Sequence, residues 1–143
     1  MRHPLLVMAA ALMGLASCHF EGFDERCARE AQDYTLKHCP RRMDECTVMD
    51  SMSYQLDTRT LLYYYTLEGK IDDEQLLTHE VTEKFREQLL LTVQNSVELK
   101  AYKEKGVNFC YVYHSSSQGK QLFSITVTAD EYGYHTTAPE PER

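Results

Sequence analysis

The sequence predicts an α+β two-layer domain: an antiparallel sheet of about four strands with two helices packed on one face, in the order α-β-β-α-β-β. Three observations carry this. Apolar positions recur at helical spacing from Asp24 to His38 and stop at Pro40. Extended runs rich in aromatic and β-favouring residues follow at Thr47–Leu56, Thr60–Leu67, Val107–Tyr113 and Leu122–Val127. A second helical run from Asp72 towards Gly106 divides those strands into two pairs, and short links within each pair favour antiparallel pairing.

In the first helix, Asp24 is placed to cap and Glu25 to meet the positive end of the dipole. Cys27, Ala31, Tyr34 and His38 form one face. The residue before Pro40 is driven out of the helical region, which ends the helix. Leu56 to Arg59 make the turn between the first two strands. Thr60–Leu67 reads Thr-Leu-Leu-Tyr-Tyr-Tyr-Thr-Leu, apolar on both faces, and is expected in the centre of the sheet. Glu68-Gly69-Lys70 breaks it. Asp72-Asp73 are expected to open the second helix, whose face is Leu77, Val81, Phe85, Gln88 and Leu89. The pattern loosens at Thr92–Ser96, where a kink is expected, and resumes over Val97–Lys105 with Gly106 as the C-terminal cap. The last two strands form a hairpin across the polar loop Ser115–Gly119. Phe109, Tyr111 and Tyr113 share one face of the first, and Phe123, Ile125 and Val127 one face of the second.

Upstream, Arg2 precedes the apolar run Leu5–Leu15, too short for a membrane span, which takes about 20 residues. Such a run followed by small residues describes a secretory signal. Leu15-Ala16-Ser17-Cys18 resembles the lipobox of bacterial lipoproteins at all four positions. The resemblance implies cleavage before Cys18, a thioether diacylglycerol on its sulfur and acylation of the new amino group. The chain therefore divides into a cleaved signal (1–17), a lipidated tether (18–23), a single α+β domain (24–135) and a disordered polar tail (136–143). The tether reaches no more than about 20 Å. His19 and Phe20 place no acidic residue after Cys18, so the expected location is the outer rather than the inner membrane, outside the cytoplasm.

The 143 residues carry a net charge of −7, so the chain has no general attraction to nucleic acid. Of five cysteines, Cys18 is assigned to the lipid, which leaves Cys27, Cys39, Cys46 and Cys110 as disulfide candidates. Cys39–Cys46 would close a short loop, and Cys27–Cys110 would tie the first helix to a late strand. Free buried thiols are the alternative. A zinc site on His38, Cys39 and Cys46 lacks the C-x2-C spacing such sites use.

No phosphate-loop, dinucleotide, zinc-protease or nucleophile-elbow motif is present, and six glycines leave little room for a phosphate cradle. His79 and His114 read as surface residues, since a nucleophile–base pair also needs a third, orienting group. Asp44-Glu45 and Asp72-Asp73-Glu74 read as structural acids. The expectation is a protein without catalytic residues, metal or cofactor. Among ten tyrosines, Tyr63, Tyr65, Tyr111 and Tyr113 form the candidate binding surface, or else core beneath the helices with hydroxyls at its edge.

A second resemblance spans most of the mature chain. Ala31-Gln32-x-Tyr34-Thr35, Cys39-Pro40-x-x-Met43-Asp44, Asp50-Ser51, Tyr63-x-Tyr65-Thr66-Leu67, Gly106 before Tyr111-x-Tyr113, and Gly119 before a final strand together resemble small bacterial envelope proteins of uncharacterised function. The resemblance implies an α+β fold and no particular chemistry. The expected function is a membrane-anchored, non-catalytic binding or accessory module of the cell envelope, held by its N-terminal lipid and acting on another envelope or secreted protein. The alternative is a lipid-anchored inhibitor that uses the Ser115–Gly119 loop as its wedge.

Overall fold

A computed structural model describes residues 20–134. The signal, Cys18 and the 136–143 tail lie outside them. Helix α1 (Phe23–His38) leads to strands β1 (Arg41–Arg42), β2 (Thr47–Gln55) and β3 (Thr60–Leu67). Two 3-10 turns, Gly69–Ile71 and Glu74–Leu76, precede helix α2 (His79–Asn95) and the short α3 (Lys100–Lys103). Strands β4 (Asn108–Ser115) and β5 (Gln121–Val127) close the domain.

The class is α+β, but the sheet is larger than expected and differently paired. Its five strands lie in sequence order, β1-β2-β3-β4-β5. The β1/β2, β2/β3 and β4/β5 pairs are antiparallel, whereas β3 and β4 run parallel. The connection explains the difference. The link from Leu67 to Asn108 is a long helical crossover that returns the chain to its starting end, and such a return pairs strands in parallel. The additional strand, β1, is only two residues of edge and has no periodic signal to read.

Both long helices cover one face of the sheet. Ala31 of α1 and Leu89 and Val93 of α2 pack in one core with Leu61, Phe109 and Val127. The helix boundaries moved from those expected. Gly22 is the N-cap of α1, and its N–H donates to Glu25 Oε2 at 3.1 Å. Asp24 instead ties the helix to the sheet. Its Oδ1 accepts from the Tyr54 hydroxyl at 2.5 Å and from Arg59 Nε at 3.0 Å. Partial burial pushes the Asp24 carboxyl up, but these two donors and the Arg59 charge hold it below its usual value. Helix α2 starts at His79 rather than at Asp72, because Thr78 is its cap and Asp73 caps a 3-10 turn. The expected break is a full stop at Asn95, and Gly106 follows α3 with φ +68°.

Among the described residues no disulfide joins Cys27, Cys39, Cys46 and Cys110. The topology sets the candidate partners of both pairings on different parts of the sheet. Cys27 is buried on the helix-covered side of the sheet. Cys110 alternates with the core residues Phe109 and Tyr111 and so belongs to the other side. Cys39 precedes Arg41, which pairs with Met49, whereas Cys46 lies past the far end of β1 beside β3, where its carbonyl accepts from Glu68 N–H.

Candidate partner-binding groove

The parallel β3/β4 seam sets the tyrosines in register. Tyr63 pairs with Tyr111 and Tyr65 with Tyr113, and side chains at matched positions of neighbouring strands stand side by side. The rings stack, with centroids 5.0 Å and 5.2 Å apart, and Phe123 of β5 continues the stack from Tyr113 at 4.7 Å. All five rings lie on the helix-covered face. Tyr64, between two of them, points to the opposite face and meets His114 there.

Helix α2 covers the Asn108 end of this aromatic floor and leaves the Leu67 end open. The result is a groove of about 670 Å³. Tyr65, Tyr113 and Phe123 form its floor, and Val81, Phe85 and Gln88 of α2 one wall. Ile71 and Leu77, from the 3-10 segment, form the other wall, and Met43 and Asp44 the rim. Val81 is 47% exposed, Ile71 40% and Met43 49%, so a stripe of apolar surface faces solvent. Among the described lining residues only Asp44 and Lys84 bear an acidic or basic side chain. Both are engaged: Lys84 Nζ donates to Glu80 at 2.7 Å, and Asp44 Oδ1 accepts from Cys46 N–H at 2.8 Å. Burial pushes the Tyr65 phenol up to about 12 and raises that of Tyr113 as well, so both rings present neutral hydroxyls. Such a surface grips apolar side chains and offers a few hydrogen bonds at its edges.

The 3-10 wall is braced to the sheet. Ser117 N–H donates to Asp72 Oδ2 at 2.7 Å, Lys120 Nζ to Glu74 at 2.7 Å and Arg42 to Glu68 at 3.0 Å. The Ser115 hydroxyl and the Ser117 N–H hold the Asp72 carboxyl below its usual value. The Ser115–Gly119 loop thus turns inward as a brace.

Of the tyrosines singled out in the sequence, Tyr65 and Tyr113 line the groove, while Tyr63 and Tyr111 continue the stack beneath α1 and α2 and do not. His79 is the exposed first residue of α2, and His114 lies on the opposite sheet face. Among the described residues no cluster of three His, Cys, Asp or Glu is gathered to hold a metal. Also among them, no helix is long and apolar enough to cross a membrane. Sequence reasoning missed Phe85, Val81, Leu77 and Phe123 as site residues. The first three were visible as a helix face, but their part-exposure was not.

Two solved structures share the fold. One is a Pseudomonas aeruginosa protein classed as secreted, with a TM-score of 0.64 at 12% identity over 76% of this chain and 91% of that one. The other is the pilotin EpsS from the Vibrio vulnificus type 2 secretion system, with a TM-score of 0.56 at 9% identity over 78% of this chain and 93% of that one. No curated protein sequence matches. The family profile that matches residues 22–123 covers helix α1, the groove and the stacked tyrosines, and the chain belongs to that family, described as Domain of unknown function (DUF8479).

Proposed function

We propose that this protein is a lipid-anchored, non-catalytic accessory module of the bacterial envelope that holds an apolar segment of another envelope or secretion protein in the groove. The observation that carries the reading is the groove floored by the half-buried Tyr65 and Phe123 and the buried Tyr113, beside an exposed Val81. An amphipathic helix, presenting apolar anchors three and four residues apart, suits a channel walled by α2 on one side and the braced 3-10 segment on the other. A pilotin among the proteins of this fold supports an envelope-protein partner, and the lipobox-like Leu15–Cys18 supports the anchor.

Photocrosslinking in cells tests the groove. A photoreactive residue in place of Val81 or Met43 is expected to capture one envelope protein, and the same residue in place of the exposed Leu91, on α2 outside the groove, is expected to capture none. Identical capture from all three positions, or none from the groove, would overturn the reading. Mass spectrometry of the mature chain, seeking an acylated Cys18 as the first residue, tests the anchor.

A further inference from the structure

We infer that the end of the domain around the α1 N-terminus rests on the bilayer, with Phe20, Leu56 and Val97 as its contact with lipid, so that the groove faces away from the membrane. The inference rests on the lipid-anchor reading and adds to it which surface meets the bilayer.

Three apolar side chains stand out at this end. Phe20 is 94% exposed and Val97 82%, the two most exposed large apolar residues described, and Leu56 is 53% exposed. They come from three distant stretches of sequence, yet each belongs to a segment in contact with the first turns of α1. Leu56 opens the turn that ends in Arg59, which pairs with Asp24 at 3.0 Å. Val97 opens the turn into α3, whose Tyr102 ring meets Phe23 with centroids 6.3 Å apart. Phe20 lies three residues before α1 begins.

What covers these residues follows from the chain itself. Cys18 is two residues from Phe20, a span of no more than about 7 Å even when fully extended. Acyl chains on Cys18 therefore hold Phe20 within the headgroup layer, and Leu56 and Val97, whose segments meet the first turns of α1, are carried to the same surface. An exposed phenylalanine and two exposed aliphatic side chains are the kind of apolar surface that beds into the boundary between headgroups and acyl chains.

The groove lies at the other end. Helix α1 has 16 residues and is about 24 Å long at 1.5 Å per residue. Its C-terminus leads through Cys39 to β1 and on to Met43 and Asp44 at the groove rim. The tether and the groove are thus separated by the length of the helix, and the groove stays open to a partner arriving from the aqueous side.

The sequence contains no tryptophan, so a single introduced one reports alone. The full-length lipidated protein is prepared as Val97→Trp, Leu56→Trp and Val81→Trp, and reconstituted in vesicles of phosphatidylethanolamine and phosphatidylglycerol with brominated acyl chains. The first two variants are expected to shift to the blue and lose emission to the bromines, and Val81→Trp to do neither. Flotation of the vesicles is measured alongside. Protein that floats with all three positions equally quenched, or with neither end quenched, overturns the orientation and leaves the anchor standing. Protein that fails to float overturns both. A blue shift of Val97→Trp in detergent that grows with protein concentration would assign this end to a second copy of the chain and overturn the lipid contact.

Discussion

Thr35 offers the sharpest test of how α1 is joined to the sheet. Strand β1 covers the outer edge of β2 only at Val48 and Met49. Beyond it, Met52 turns its backbone outward with no strand among the described residues to receive it. The Thr35 hydroxyl answers both groups, donating to the Met52 carbonyl at 2.9 Å and accepting from its N–H at 2.7 Å. Thr35→Val keeps the shape and removes the hydroxyl. Each neutral hydrogen bond contributes about 1 kcal/mol net, so the loss is about 2 kcal/mol, or roughly thirtyfold in the folding equilibrium. In urea, with a slope of about 2 kcal/mol per molar, the midpoint should fall by about 1 M with the slope unchanged. Thr35→Ser restores the hydroxyl and loses one half-buried methyl, which costs less than about 0.8 kcal/mol. Hydrogen exchange should show the Met52 amide losing protection selectively in Thr35→Val. A Val variant within about 0.5 kcal/mol of the wild type, or a Ser variant as damaged as the Val variant, would refute the reasoning.

Gly106→Ala puts a Cβ into a backbone of φ +68° and within 2.6 Å of the Tyr134 ring; a loss of about 1–2 kcal/mol, seen as a Tm several degrees lower, is expected. Val81→Glu places a charge on a half-exposed groove wall, so binding of the crosslinked partner should be lost in pull-down while Tm stays within the range of ordinary surface changes. Burial holds the Tyr65, Tyr102 and Tyr132 phenols up at about 12, above the ordinary value near 10. The folded state therefore favours the neutral phenol. Its contribution is intact below pH about 10 and lost as pH rises towards 12, so urea midpoints should fall across that window, and a flat profile there would count against the buried placement.

Much of this fold can be read from the chain, and the parts that cannot have physical causes. The stop at Pro40, the cap at Gly106 and the aromatic strands are local signals, and the structure places all three as expected. The start of α2 is also local, but two signals compete. Asp72-Asp73 has the acids a helix start favours, yet Thr78 accepts from the Val81 N–H and wins. The β3/β4 direction is not local at all, since it depends on where a helical crossover returns the chain. The cysteines are partly legible too: the alternation that puts Phe109 and Tyr111 on one face puts Cys110 on the other. The groove was half legible. Leu77, Val81 and Phe85 announced a helix face, but an apolar stripe cannot say whether the sheet beneath reaches up to close on it. That depends on the brace from Asp72 to Ser117, joined across 45 positions of sequence.

The parallel seam at the centre of the sheet also governs when the molecule can finish assembling. Until Asn108–Ser115 is available, β3 has a partner on one side only, and Leu61, Tyr63 and Tyr65 stand along a bare edge. Neither half of the chain can bury its own aromatic rows. Such distant pairing slows the search for the native state and leaves an adhesive strand exposed meanwhile. The chain is thus most vulnerable to self-association while its second half is still being delivered, and its two halves, supplied separately, have every reason to find each other along that line.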